Sequence, residues 1–182
     1  MRSLIGPAAV LTVGLALAGC TTMSVGSYVE RGLDTKPYHT YDWGPADALP
    51  TGDARLDQDP FFQDYVQGAV EKQLAGKGFA RAASGSRADL LIHYHASITQ
   101  KLDVNRLDRA FGYCLDEECS AKVIDYEAGT LVLDVVDART NRVIWRGWAQ
   151  DGVDSMLEHR DVMSRKIEDA VRRMFAQFPR PL

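Results

Sequence analysis

The chain has 182 residues, of which 21 are basic and 25 acidic, and its formal net charge at pH 7 is −4. A mildly acidic chain with charges of both signs interspersed lacks the basic stripe of a nucleic-acid-binding protein, so we expect no nucleic-acid partner. Beyond the N-terminus, no segment is apolar over the roughly 20 residues that a membrane-spanning helix needs.

The N-terminus is typical of an export signal. Arg2 is followed by an uncharged, mostly apolar run from Leu4 to Leu17 and then by small residues before Cys20. An apolar run this short, ending at a small-residue cleavage site, predicts a signal peptide over residues 1–19 and not a membrane span. The sequence Leu17-Ala18-Gly19-Cys20 resembles the bacterial lipobox, whose cysteine receives diacylglycerol before cleavage. The alternative is an ordinary secretory signal that happens to contain a cysteine.

Lipid on Cys20 would place the mature domain in water beside a membrane. Burial of acyl chains contributes about 0.8 kcal/mol per CH₂, so two or three chains hold a protein at a bilayer. The neutral Thr21 after the cysteine resembles signals that send lipoproteins to the outer membrane, here with the domain facing the periplasm. Removal of residues 1–19 takes away Arg2 alone and leaves 20 basic and 25 acidic residues, a net charge of −5. Apart from this lipid, we expect no cofactor.

The mature chain is long enough for one domain, which we assign to residues 38–182 after a tether over 20–37. Val25, Tyr28 and Val29 could still add a short edge strand. The β-forming residues 38–43 predict a strand, and 44–58 predict a loop. Asp59-Pro60 is a typical helix start. Apolar residues then recur at helical spacing up to Gly76 or Gly78, namely Phe62, Val66, Ala69, Val70 and Leu74.

Three later segments alternate between apolar and polar residues, which is the period of half-buried strands. They are residues 88–100, 129–137 and 142–150, and a turn over 137–141 makes the last two a hairpin. A long amphipathic helix follows, capped by Asp154-Ser155 and ended by Pro179, with the apolar stripe Met163, Ile167, Ala170, Val171, Met174, Phe175 and Phe178. These elements predict an α+β fold in which two amphipathic helices pack on one face of a mostly antiparallel sheet.

Residues 101–128 are ambiguous in this pattern, and we expect a strand around 107–114 followed by an exposed loop. Cys114 and Cys119 lie in this segment. Two thiols so close in sequence can bridge across a turn in an oxidising compartment, so we predict a disulfide between them. A metal site would need two more ligands, and no histidine lies nearby in the sequence.

Several of these segments together resemble a family of bacterial lipoproteins known as domain of unknown function 4136. They are residues 38–43 (Tyr-His-Thr-Tyr-Asp-Trp), 77–79 (Lys-Gly-Phe), 88–94 (Ala-Asp-Leu-Leu-Ile-His-Tyr), 129–134 (Gly-Thr-Leu-Val-Leu-Asp) and 143–147 (Val-Ile-Trp-Arg-Gly). The resemblance covers nearly the whole mature chain. It implies an envelope lipoprotein with two helices on one sheet, and it brings no catalytic residues.

Two kinds of functional site are possible on the face of the sheet that points away from the helices. His93 and His95 alternate on one strand, about 6.5–7 Å apart, and Asp134 on another strand could complete a zinc or iron site. The alternative is that they are polar residues of a solvated face. Ile144, Arg146 and Trp148, with Val132 and Val136, could instead form a docking strip, because tryptophan and arginine are enriched where partners bind. The alternative is that the segment 101–128 folds over this face and buries it.

We therefore expect a non-catalytic binding or structural module, anchored in the membrane by its lipid. Its partner would be an envelope protein or peptidoglycan. The alternative function is a periplasm-facing metal-binding protein or hydrolase that uses His93, His95 and Asp134. No nucleophile elbow, zinc-protease motif or phosphate-binding loop supports catalysis.

Overall fold

The computed structural model describes residues 23–44, 53–103 and 124–179. Four predictions fall outside these residues: the signal peptide over 1–19, the lipid on Cys20, the strand around 107–114 and the disulfide between Cys114 and Cys119.

The described residues form one six-stranded sheet with helices packed against one of its faces. The elements are β1 (Ser24–Val29), β2 (Thr40–Trp43), α1 (Ala54–Asp57), α2 (Phe62–Gly76), β3 (Ala80–Arg81), β4 (Leu90–Asp103), β5 (Ile124–Asp137), β6 (Arg142–Gly152), α3 (Asp154–Glu158) and α4 (Arg160–Phe175). The strand order is β1-β6-β5-β4-β2-β3. Among these helices, none combines the length and the apolar character needed to cross a bilayer.

The sheet is mixed, which corrects the expectation of a mostly antiparallel one. β1, β6, β5 and β4 pair antiparallel, but β2 runs parallel to both β3 and β4. The reason is the connection after β2, because the chain passes through α1 and α2 before it returns in the same direction. Such a crossover makes its strands parallel neighbours. The edge strand that the sequence left open is present as β1, so part of the predicted tether belongs to the sheet.

The core lies between the sheet and the two long helices, as predicted. Trp145 is fully buried, and its ring lies 5.3 Å from the rings of both Phe175 and Phe178. Val70 and Leu74 of α2 are also fully buried. Burial of each such side chain contributes about 1.5–3 kcal/mol, so the one-sided apolar stripes hold the two layers together.

The predicted helix ends are displaced. Asp59 does not cap α2; its Oδ1 accepts a hydrogen bond of 2.8 Å from the N–H of Phe61, in a turn just before the helix. The last predicted helix is divided at His159, whose backbone is extended (φ −133°, ψ 110°). Phe178 lies beyond the end of α4 and is buried even so. Local turn chemistry therefore sets these boundaries, while the apolar spacing marks the helices themselves.

A β-bulge in the β5–β6 hairpin changes the sides on which β6 presents its residues. Val135 pairs with Trp145 and Val136 pairs with Val143, which leaves Ile144 as an extra residue between them. Ile144 is consequently only 2% exposed and belongs to the core, whereas Val143 is 37% exposed. The assignment of Ile144 to the same face as Arg146 and Trp148 was therefore wrong, because strict alternation does not hold across a bulge.

Asp89 ties β2 to the start of β4. Its carboxylate accepts hydrogen bonds of 2.9 Å from the N–H groups of His39 and Thr40 and from the Thr40 hydroxyl. The N–H group of His39, followed by that of Thr40, lowers the pKa of the Asp89 carboxyl from its ordinary value. A carboxylate that is bonded in the folded state stabilises that state only while it is ionised.

We expect Asp89 to make stability depend on pH on the acid side. Because its pKa is lower in the folded state, its contribution is complete above the unfolded-state pKa of about 3.9 and is lost as the pH falls through the folded pKa. The Asp89→Asn variant should lose less free energy of unfolding below about pH 4 than the unaltered chain. Urea unfolding at several pH values measures this, with the exposed Asp64→Asn as control; equal losses in all three proteins would contradict it.

Gly78 and Gly76 should respond oppositely to alanine. Gly78 follows α2 in the left-handed region (φ +89°), where a side chain is strained by about 1–2 kcal/mol. Gly76 is the last residue of α2, and an added Cβ would meet no atom within 4 Å. Gly78→Ala should therefore lower the free energy of unfolding, and Gly76→Ala should raise it by about 0.5–1 kcal/mol. Equilibrium urea unfolding measures both free energies. Changes of the same sign in the two variants would contradict the assigned conformation.

Candidate functional site

The candidate site lies on the outer face, by which we mean the side of β1, β6, β5 and β4 opposite α2 and α4. Register places its residues in two neighbouring rows across the sheet: Gly26, Trp148, Val132 and His95 in one, and Tyr28, Arg146, Asp134 and His93 in the other. Trp148 is 39% exposed and Tyr28 is 56% exposed. The outer face therefore presents two large aromatic side chains around a charged centre.

A bidentate ion pair occupies the centre of the outer face. Nε and Nη2 of Arg146 each lie 2.6 Å from an oxygen of Asp134, on the residues that face each other across β5 and β6. The Asp134 side chain is 6% exposed and the Arg146 side chain 50% exposed. The bond to Asp134 raises the pKa of the Arg146 guanidinium. Both carboxylate oxygens are thus engaged, while the arginine is held in one orientation with half of its surface open to a ligand.

Trp148 is seated on the backbone of the edge strand. A Cβ built on Gly26 would lie 2.3 Å from Cζ2 of the Trp148 indole, so the ring lies directly over the glycine. A side chain at this position would force the ring away from the strand. Gly26 is a signal that the sequence does contain, since a glycine inside a strand often marks a close approach of another group.

The histidines and Asp134 share the outer face but do not form a metal centre. His93 and Asp134 are opposite each other in register, yet the His93 imidazole extends over Gly44, where an added Cβ would lie 2.1 Å from Cε1. Asp134 binds Arg146 with both oxygens. In the described ranges, no three His, Cys, Asp or Glu side chains are grouped closely enough to hold a metal ion. The structure therefore gives His93 and Asp134 different neighbours, Gly44 for the imidazole and Arg146 for the carboxylate.

A second feature, which the sequence did not indicate, is a cavity of about 60 Å³ on the helix side of the sheet. We call it the lateral cavity. It opens between the sheet and the helices, and its lining includes Met23, Ala96, Ile98, Met156, Lys166 and Ala170. The lateral cavity and the outer face lie on opposite sides of one sheet, so Asp134 and the two histidines do not line the cavity.

The comparisons with known proteins agree with this fold. The model of a family described as domain of unknown function (DUF4136) matches residues 25–180. A DUF4136 family protein from Bacteroides thetaiotaomicron has 15% identity and a TM-score of 0.54, over 85% of this chain and 95% of that one. A PDZ domain protein from Parabacteroides distasonis has 15% identity and a TM-score of 0.52, over 86% of this chain.

The match covers 36% of the Parabacteroides chain, so this chain corresponds to about a third of that protein. A search of curated proteins gave no significant match. At 15% identity, the two solved structures show a common fold and nothing more.

The ion pair should be more important to stability than its position on a surface suggests. Arg146→Ala leaves the Asp134 carboxylate, which is largely buried, without its partner, and we expect the free energy of unfolding to fall by about 1–3 kcal/mol. Arg142 is the matched control on the same strand, because its side chain is 71% exposed and pairs with Glu30. Arg142→Ala should cost about 1 kcal/mol or less. Chemical unfolding compares the two; similar losses would mean that Asp134 is effectively solvated.

Proposed function

This chain belongs to the DUF4136 family of domains of unknown function, and from that premise we propose that it is a membrane-anchored, non-catalytic lipoprotein of the bacterial envelope. It binds another envelope protein through the outer face. The observation that carries this proposal is Trp148, whose indole is 39% exposed and is seated over Gly26 beside an oriented arginine.

The N-terminal sequence supports the anchor. A short apolar run followed by Leu17-Ala18-Gly19-Cys20 fits cleavage before Cys20 and lipid on its thiol. The neutral Thr21 favours the outer membrane, with the folded domain on the periplasmic side. A domain held in this way meets its partners in two dimensions, which raises their effective concentration.

The composition of the outer face supports binding. Exposed Trp148 and Tyr28 lie in neighbouring rows, and Trp, Tyr and Arg are the residues that most often dominate the energy of protein interfaces. Arg146 is already oriented by Asp134, so less side-chain entropy is lost when a partner binds it. Catalysis has less support, since an active site needs reactive groups that converge in a pocket.

In-cell cross-linking of the tagged lipoprotein, followed by mass spectrometry, tests the proposal. We expect one dominant envelope protein, which is lost in Trp148→Ala and in Cys20→Ala. Phe61→Ala is the matched control, because Phe61 is also 39% exposed but lies at the start of α2, away from the outer face. This variant should retain the partner.

Two results would contradict the proposal. If no protein co-purifies reproducibly, the outer face does not bind a protein; retention on purified peptidoglycan that is lost in Trp148→Ala would then identify a glycan ligand. If Trp148→Ala and Phe61→Ala lose the partner equally, the contact lies elsewhere on the domain.

A further inference from the structure

We propose that the lateral cavity holds the end of one acyl chain of the protein's own N-terminal lipid. This inference rests on the proposed lipidation of Cys20 and goes beyond it, because it gives that lipid a binding site within the fold. The other acyl chains of the same lipid remain in the bilayer.

The size and the walls of the lateral cavity favour an aliphatic chain. Its walls include Ile98 from β4, Met156 from α3 and Ala170 from α4, so both layers of the fold contribute apolar atoms. Its volume of about 60 Å³ is well below the 150 Å³ of an engineered apolar cavity that accepts benzene. A narrow, flexible chain end therefore fits better than a ring.

The charged group at the cavity rim argues against a free fatty acid. Nζ of Lys166 lies 2.9 Å from Oδ2 of Asp151 and 2.7 Å from the carbonyl oxygen of Gly152. Its charge is already compensated, so it offers little to a ligand carboxylate, which would be repelled by Asp151. The chain that enters should be one whose polar end is attached elsewhere, as in an ester- or amide-linked lipid.

The position of Met23 points to the chain's own lipid. Met23 lines the lateral cavity and immediately precedes β1, which is fixed to β6 along its whole length. Cys20 is three residues before Met23 in the sequence. Three residues span at most about 10 Å, so an acyl chain on Cys20 starts close to the cavity opening. Any other lipid would have to compete with a chain held permanently at this distance.

Photo-cross-linking of the native lipoprotein in cells tests this inference. Cells are supplied with a fatty acid that carries a diazirine near its terminal carbon, and they build it into their lipids. Light releases dinitrogen, and the resulting carbene inserts into a neighbouring C–H bond. We expect peptides that contain Ile98 or Met156 to be joined, through the lipid, to the peptide that begins at Cys20.

Variants that fill the lateral cavity should abolish this cross-link. Ala170→Leu adds bulk from α4, and Ala96→Leu does so from β4 if the first variant does not fold. Ala69→Leu is the control, because Ala69 packs against the core from α2 and is not among the residues that line the cavity. It should keep the cross-link.

Each other outcome is informative. Cavity peptides that carry a lipid without the Cys20 peptide would overturn the inference in favour of a separate membrane lipid. A lipidated Cys20 peptide without any cavity cross-link would overturn it and leave the proposed anchor intact. An N-terminal peptide without lipid would contradict the proposed anchor itself, and the inference with it.

Discussion

The register between β5 and β6 is the constraint on which the rest of the structure depends. Side chains alternate along a strand, so a shift by one residue would move every side chain of β6 to the other face. The bulge at Ile144 makes this shift once, between Val136 and Val135. As a result Ile144 and Trp145 both enter the core, while Arg146 and Trp148 reach the outer face. The core and the candidate site are therefore determined by the same irregularity.

The two faces of the sheet solve the problem of burial in different ways. On the inner face, apolar side chains from α2 and α4 pack with Trp145 in one core, and the hydrophobic effect stabilises their burial. On the outer face Asp134 is nearly buried as well, and a buried carboxylate is costly unless it is paired. Arg146 supplies that pairing from the opposite strand. The charge pair thus belongs to the stability of the sheet as well as to the proposed recognition surface.

The sequence predicted what depends on periodicity and failed where one residue interrupts it. Alternation located the long strands, and the helical spacing of Val66, Val70 and Leu74 identified the buried side of α2. The bulge at Ile144 is invisible to such patterns, since a bulge is set by pairing with another strand. The parallel pairing of β2 could have been predicted from the sequence, because a helix between two strands implies a crossover connection.

The candidate site was also predicted only in part. Arg146 and Trp148 were placed correctly on the outer face by alternation alone. The partner of Arg146 could not be known without the register of β5 and β6, and Asp134 was for that reason interpreted as a metal ligand. The lateral cavity is formed by residues from β4, α3 and α4 that are distant in sequence. A local sequence pattern cannot predict which distant residues come into contact.

β1 connects the two proposals. Its residues rise by about 3.3 Å each, so Gly26, which supports Trp148, lies roughly 10 Å along the strand from Met23 at the lateral cavity. Three more residues lead back to Cys20, so the Trp148 row is within about 20 Å of the proposed lipid. With the proposed lipid in a bilayer, a partner that reaches this row approaches the membrane surface closely. The proposed anchor thus favours a partner that is itself embedded in or attached to the membrane, because such a partner is held at a similar distance from the bilayer.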